Sequence, residues 1–169
     1  MNDEVASAFK KAIREDKTIG IISEAGCPGI ADPGQQLVMV AQEMNVPVKP
    51  LVGPNSILLA LMASGMNGQQ FQFVGYLPID STERAKTIKT LEVESKQKNC
   101  TQIFIETPYR NNQILEALVK NCTSTTRLCI ACELTSPQEF VRTKNIQDWK
   151  KQMPDLHKKP AIFLLLAKS

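Results

Sequence analysis

The sequence lacks several features that mark membrane proteins and histidine-based active sites. Its C-terminal apolar run, residues 162–167, is far shorter than the roughly 20 apolar residues that a membrane-spanning helix requires. Its one histidine, His157, stands beside Lys158 and Lys159 in a polar segment, which is typical of a solvent-exposed residue rather than a catalytic base. Internal repeats and low-complexity segments are also absent. We therefore expect neither a membrane span nor a mechanism that depends on histidine.

The cysteines do not form the pattern of a disulfide framework or a zinc site. There are five, an odd number, and residues 1–17 are charged throughout, unlike a secretion signal. Cys129 and Cys132 have the CxxC spacing of metal and redox sites, but they fall within a predicted strand, where side chains three residues apart point to opposite faces. No second CxxC is present. We expect reduced thiols, no bound metal and a cytoplasmic location.

Strand and helix patterns alternate along the 169 residues, of which 43% are hydrophobic, enough to bury one core or two small ones. The predicted strands are 18–23, 46–51, 71–77, 101–106, 127–132, 139–143 and 161–167. The predicted helices are 3–16, 35–44, 55–63, 80–98, 111–120 and 145–152. A polar, glycine-containing stretch separates two halves near residue 70. The sequence thus predicts an α/β fold of two small α/β domains, residues 1–70 and 71–169.

The charge is only mildly unbalanced. Twenty lysine and arginine residues against 17 aspartate and glutamate residues give a net charge of +3, which is compatible with an anionic partner and with an ordinary enzyme. The helix predicted at 80–98 carries the densest cationic face, formed by Arg84, Lys86, Lys89, Lys96 and Lys98. These side chains either contact phosphates or are solvated, and the pattern favours solvation.

One loop, SEAGCPGIADPG at residues 23–34, organises the first half of the chain. It lies between a predicted strand and a predicted helix. Gly26 and Gly29 permit backbone angles and close approaches that a Cβ would prevent. Asp32 followed by Pro33 is typical of an N-cap and a first helical turn. Such a loop suits a ligand held against main-chain atoms, although Gly26 and Gly53, each taken alone, are equally compatible with plain turns.

Five ordered motifs carry a resemblance to a known family. They are SEAGCPGIADPG at 23–34, VGPNS at 52–56, ASGMN at 63–67, FQFVGYLP at 71–78 and IETPYR at 105–110. In this order they resemble the tetrapyrrole methylase superfamily, and within it the ribosomal RNA small subunit methyltransferase I branch. The sequence departs from that branch at Glu24 and Cys27, where aspartate and threonine are usual, and at Cys132 and Ser136, where arginine and lysine are usual.

The resemblance implies an S-adenosylmethionine-dependent methyltransferase that forms a homodimer and acts on ribosomal RNA or the small ribosomal subunit, at the 2'-hydroxyl of a cytidine. The cofactor would lie in a cleft between the two domains, against main-chain atoms of the first two motifs: Ser23, Glu24, Ala25, Gly26, Cys27, Pro28, Gly53, Pro54, Asn55 and Ser56. Physical chemistry agrees, because a helix start suits the cofactor's carboxylate and the carboxylate of Glu24 suits its sulfonium. The substrate-side candidates are Glu106, Arg110 and Glu133.

Several alternatives remain open at the level of sequence. A ribose hydroxyl needs a proton acceptor, and Glu24, Glu106 and Glu133 are equal candidates. Glu106 and Arg110 are also compatible with a structural ion pair. The acceptor molecule is alternatively a tetrapyrrole or another small molecule, or the chain is a non-catalytic cofactor-binding fragment. Because family members begin with a further strand and a glycine turn, the resemblance implies additional residues upstream of Met1.

Overall fold

A computed structural model describes residues 3–168 and divides the chain into two units, the first ending at Asn55 and the second beginning at Ser56. The first unit contains helix α1 (Asp3–Arg14) and helix α2 (Gln35–Glu43), which contact each other. Helix α1 has acidic residues in its first turn and basic residues in its last turn. These charges interact favourably with the helix dipole and stabilise the helix.

The two strands predicted in the first unit do not form. Between residues 3 and 55 the structure describes no β-strand, and residues 18–23 and 46–51 are irregular. An apolar run becomes a strand only where a neighbouring strand accepts its backbone hydrogen bonds, and this unit provides no such neighbour. Pro47 and Pro50 also remove two amide donors from the second segment. These two predictions are wrong.

The second unit is built on a five-stranded mixed sheet. In chain order it comprises α3 (Ser56–Ser64), β1 (Phe71–Tyr76), α4 (Ser81–Lys98), β2 (Thr101–Ile105), a 3₁₀ turn (Pro108–Arg110), α5 (Asn111–Asn121), β3 (Arg127–Cys132), β4 (Phe140–Asn145), α6 (Ile146–Lys151) and β5 (Ala161–Leu166). The strand order is β1-β2-β5-β3-β4. Strands β1 and β2 are parallel, whereas β5 is antiparallel to both β2 and β3. Strands β2 and β3 therefore run in the same direction and end at the same edge of the sheet.

The sheet buries a core on each face. On one face Phe104 and Phe163 face each other in register, and their rings stack with centroids 5.8 Å apart. Helices α4, α5 and α6 cover this face with buried apolar side chains that include Ile88, Leu115 and Trp149. On the other face α3 packs its buried residues against the sheet through Ile57, Ala60 and Leu61. The alternation of inward side chains along each strand makes both cores possible.

The CxxC pair illustrates this alternation. Cys132 belongs to the core beneath α4 and α5, whereas Cys129 belongs to the core beneath α3. The prediction that the two thiols point to opposite faces is confirmed, and the pair is not arranged to hold one metal ion.

Residues at the two ends of α4 determine where the helix begins and ends. The Asp80 carboxylate accepts hydrogen bonds from the amides of Thr82 and Glu83, at 3.0 and 2.9 Å, and so caps the helix N-terminus. The Glu83 carboxylate pairs with Lys86 at 2.9 Å, so it forms an exposed ion pair along the helix. Asn99 ends the helix with a left-handed φ of 48°.

The α/β fold class is confirmed by this arrangement. Because α3 packs on the sheet, the structure groups residues 56–70 with the second unit. The predicted boundary near residue 70 separates two domains that would each fold independently. It stays a prediction. Within residues 3–168 no helix has the length and apolar character needed to cross a membrane.

Candidate functional site

Asp32 closes the loop at residues 23–34. Its Oδ1 accepts hydrogen bonds from the amides of Gly29 and Gly34, at 3.1 and 2.8 Å, and its Oδ2 accepts from the Ser23 hydroxyl at 3.1 Å. The carboxylate thus joins the start, middle and end of the loop. The predicted N-cap role of Asp32 is wrong, because Gly34 occupies that position without a side-chain cap. Asp32, two residues before Gly34, instead accepts hydrogen bonds from amides of the loop.

This hydrogen bonding has an electrostatic consequence. The amides of Gly29 and Gly34, followed by the Ser23 hydroxyl, favour the ionised carboxylate and lower the pKa of Asp32 below its usual value of 3.8. Because the pKa of Asp32 is lowered in the folded protein, ionisation of Asp32 stabilises the closed loop fully at pH values above the usual pKa of the carboxyl. This stabilisation is lost as the pH falls through the lowered pKa of Asp32.

We therefore expect the Gly29 and Gly34 amide resonances to titrate together with a midpoint below pH 3.8. Two-dimensional NMR between about pH 2 and 5 measures this midpoint. A midpoint at or above 3.8 for the glycine amides would show that Asp32 does not close the loop.

Two kinds of glycine occur in the loop. Gly26 has a left-handed φ of 77°, and a Cβ built on it would meet no protein atom within 4 Å. At Gly34 a Cβ would lie 2.6 Å from Asp32 Oδ1 and 3.2 Å from Ile21 Cγ2. Gly34 is therefore required for packing within the loop. Gly26 is required for its backbone angle and leaves the adjacent main chain open.

The first two motif segments are brought together through Cys27. Its Sγ lies 3.7 Å from the carbonyl oxygen of Gly53 and 3.6 Å from that of Pro54, within reach of a thiol donor. Glu24, Gly53 and Pro54 are all exposed, whereas Asn55 is buried. The loop and the irregular segment at 53–54 are thus in contact and both expose main-chain atoms. Ala25 and Pro28 lie in the exposed part of the same loop, and Ser56 begins α3 in the second unit.

The substrate-side candidates all lie where β2 and β3 end. Glu106 directly follows β2, Arg110 ends the 3₁₀ turn and Glu133 directly follows β3. The Glu133 amide donates to the carbonyl of Pro160 at 2.9 Å, which ties this residue to the segment before β5. Its φ of 52° marks a sharp change in chain direction. The second unit therefore gathers these three residues at one edge of its sheet.

Glu106 and Arg110 form the ion pair that the sequence left as an alternative. Arg110 Nη2 lies 3.0 Å from Glu106 Oε2, and the glutamate side chain is only 1% exposed. Glu106 Oε1 accepts from the Thr107 amide at 2.7 Å. The contact is close but not aligned as a hydrogen bond, so both Oε2 and Nη2 are buried without a hydrogen-bond partner in the described part of the chain. A buried pair with open hydrogen-bonding capacity is suited to binding a polar group.

The cationic face of α4 is largely occupied by local partners. Arg84 donates to the carbonyls of Pro78 and Ile79, at 3.4 and 2.9 Å. Lys86 pairs with a glutamate one turn away, as does Lys98 at 3.9 Å. These contacts support the interpretation of a solvated helix face. Across residues 3–168, no cluster of three or more histidine, cysteine, aspartate or glutamate side chains is arranged to hold a metal ion.

The sequence matches the family model described as Tetrapyrrole (Corrin/Porphyrin) Methylases over residues 2–149. The chain belongs to this family. The predicted resemblance to this family is thereby confirmed.

Its curated relatives carry the name Ribosomal RNA small subunit methyltransferase I. The protein from Halalkalibacterium halodurans is 36% identical over 76% of this chain and 43% of its own length. That from Buchnera aphidicola subsp. Schizaphis graminum is 30% identical over 98% of this chain and 56% of its own length. That from Escherichia coli O157:H7 is 33% identical over 80% of this chain and 45% of its own length. The chain thus spans about half the length of these relatives.

Solved structures share the fold at low sequence identity. The methyltransferase CobJ superposes with a TM-score of 0.63 at 17% identity, over 96% of this chain and 70% of CobJ. Uroporphyrin-III C-methyl transferase from Thermus thermophilus, solved in complex with S-adenyl homocysteine, superposes with a TM-score of 0.54 at 15% identity, over 98% of this chain and 73% of that protein's length. These likenesses support the fold alone.

Proposed function

We propose that this methylase-family chain is part of an S-adenosylmethionine-dependent methyltransferase that modifies the 2'-hydroxyl of a cytidine in small-subunit ribosomal RNA. The observation that carries the proposal is the contact of Cys27 with Gly53 and Pro54, which joins the two motif segments expected to hold the cofactor. The names of the relatives, taken with the family match, support the ribosomal substrate.

The loop surface leaves main-chain atoms open to a ligand. Beside Gly26 and Gly53 there is no protein atom within 4 Å of where a Cβ would stand, so main-chain atoms there are accessible to a ligand. Ser23 to Pro28 and Gly53 to Ser56 would hold the cofactor, with Glu24 near its cationic centre. S-adenosylmethionine supplies an activated methyl group when bound. A cleft between two domains, implied by the family resemblance, is part of this proposal.

The chain's own residues then have to align the substrate and accept a proton. Alignment of the reacting groups can remove several kcal/mol from the barrier of a displacement of this kind. Because Glu106 is buried against Arg110, it is better suited to positioning that guanidinium than to accepting a proton from a substrate. Glu133 is half-buried and Glu24 is exposed, so both remain accessible candidates for the proton acceptor.

The decisive experiment titrates the chain with radiolabelled S-adenosylmethionine, with and without small ribosomal subunits from a methylation-deficient strain. We expect saturable cofactor binding and transfer of label to the RNA. Transfer to a tetrapyrrole instead would favour the small-molecule alternative. Binding without transfer to either acceptor would favour a non-catalytic cofactor-binding fragment, and absence of binding would contradict the proposal.

Homodimer formation and a cytoplasmic location also remain proposals. Family resemblance supports the dimer, as does the apolar surface of α3, where Met62 is 80% exposed. Sedimentation velocity on the samples used for the titration tests it, because a dimer predicts a species of twice the chain mass at micromolar concentration. A single monomeric species would contradict it.

A further inference from the structure

An exposed aromatic side chain stands beside the substrate-side candidates. Tyr109 lies in the 3₁₀ turn between Glu106 and Arg110, and its side chain is 68% exposed. The His157 ring meets it edge to face, with centroids 6.0 Å apart and planes at 75°. The Lys158 ammonium lies 5.9 Å from the centroid of the tyrosine ring. Two aromatic rings and a cation are thus grouped at the edge of the sheet where β2 and β3 end. We name this group, Tyr109, His157 and Lys158, the aromatic platform.

The segment that carries His157 and Lys158 is fixed to the start of α5. Asn112 donates to Asp155 Oδ1 at 2.8 Å and accepts from the Leu156 amide at 2.8 Å. The buried Asn111 donates to the Lys159 carbonyl at 2.6 Å, and Leu156 is fully buried. These bonds hold the platform in place before any ligand arrives, which reduces the entropy that binding must remove.

The backbone joins the two halves of the platform directly. The Lys158 amide donates to the carbonyl of Pro108, the residue before Tyr109, at 3.1 Å. Lys158 adopts a left-handed φ of 60°, a conformation that glycine or asparagine adopts more readily. This conformation and the Pro108 hydrogen bond place the Lys158 side chain next to the exposed ring of Tyr109.

The surrounding charges favour an anionic ligand. Lys158 is exposed and Lys159 is half-buried beside it, and neither forms an ion pair within 4.0 Å in the structure as described for residues 3–168. Asp155, on the same segment, is a carboxylate whose charge offsets part of the charge of the two lysines. Its Oδ1 already accepts from Asn112 and from the His157 amide, and these bonds lower the pKa of Asp155, so it is ionised at neutral pH. The neighbouring Glu106 carboxylate is neutralised by Arg110.

We infer that the aromatic platform stacks an unpaired base of an RNA substrate and that Lys158 contacts the adjoining phosphate. This inference rests on the proposed function and assigns residues to its RNA side. Proteins recognise single-stranded RNA by stacking splayed bases on aromatic rings and by contacting phosphates with cations. A duplex offers no free base to the platform. Single-stranded RNA should therefore bind more tightly than duplex RNA of the same sequence.

The test measures fluorescence anisotropy of a labelled nine-nucleotide single-stranded RNA and of its duplex, with the full chain. We expect Tyr109→Ala to weaken single-strand binding roughly tenfold, as loss of one base–aromatic stack does, and Tyr109→Phe to retain it. Lys158→Gln should reduce the slope of log Kd against log salt concentration by about 0.7, the value for one phosphate contact. Lys89→Gln on exposed α4 makes the same charge change away from the platform and should leave the slope unchanged.

Two further readouts make the result decisive. Thermal melting should be unchanged in Tyr109→Ala, since the side chain is mostly exposed, and S-adenosylmethionine affinity should also be unchanged. If the wild-type chain binds RNA and Tyr109→Ala binds it equally well, the platform is overturned while the proposed function stands. If uroporphyrin binds with Tyr109 dependence and RNA does not bind, both the platform assignment and the ribosomal substrate are wrong. Absence of any RNA binding, with cofactor binding intact, overturns the platform, whereas label transfer to small ribosomal subunits decides the ribosomal substrate separately.

Discussion

Gly26→Val is expected to lower the affinity for S-adenosylmethionine at least tenfold, about 1.4 kcal/mol, while the chain remains folded. Valine is a β-branched residue, and it is strongly disfavoured at a φ of 77°. Its side chain would also enter space that no protein atom occupies within 4 Å and that the proposed cofactor would need. Isothermal titration calorimetry measures the affinity, and circular dichroism checks the fold.

Gly20→Val is the matched control, because it lies in the same unit and makes the same substitution. Gly20 does not have a left-handed φ, and a Cβ there would meet no atom within 4 Å. We expect its cofactor affinity to equal that of the wild-type chain. If Gly26→Val binds as tightly as Gly20→Val, the loop at 23–34 is not the cofactor site.

Trp149→Ala is expected to lower the free energy of unfolding by about 3–5 kcal/mol, the usual cost of removing a buried aromatic side chain. Trp149 is 2% exposed in the core beneath α6, so truncation leaves a cavity. It also removes the indole donor that lies 2.9 Å from the Leu128 carbonyl, and the ring beneath the Lys144 ammonium. Urea denaturation followed by circular dichroism measures the loss, because this tryptophan is the only one in the sequence and cannot serve as the probe.

Trp149→Phe separates the two contributions. Phenylalanine fills part of the cavity but cannot donate to Leu128, so its loss should be smaller than that of the alanine variant. Equal losses for the two variants would mean that the hydrogen bond, and not the packing, dominates. A loss below about 1 kcal/mol for alanine would contradict the role of Trp149 in this core.

The secondary structure of the second unit could be predicted from sequence because its signals are local. Helix α5 shows the spacing of an amphipathic helix, and its apolar residues Ile114, Leu115, Leu118 and Val119 are all buried. Strand β3 is apolar and forms over the predicted range, since neighbours on both sides complete its hydrogen bonds. The order β1-β2-β5-β3-β4 depends on pairing between distant segments, which local patterns do not encode.

The first unit shows where local signals fail. Residues 18–23 have the composition of a strand but no pairing partner among residues 3–55, so composition alone was misleading. Asp32 fits an N-cap by sequence, yet it closes the loop, because both roles require a short carboxylate near amide donors. The motifs predicted the site residues. They did not reveal that Cys27 contacts Gly53 or that His157 contacts Tyr109, since these contacts join segments far apart in sequence.

The distribution of the thiols makes the loop directly accessible to labelling. All five cysteines lie in the described part of the chain, and four of them are buried: Cys100, Cys122, Cys129 and Cys132. Burial raises the pKa of each of these four thiols, so little reactive thiolate is present at neutral pH. Cys27 is the half-buried exception. A maleimide dye should therefore attach to the native sequence at this one position, and its emission would report ligand arrival at the loop without any engineered cysteine.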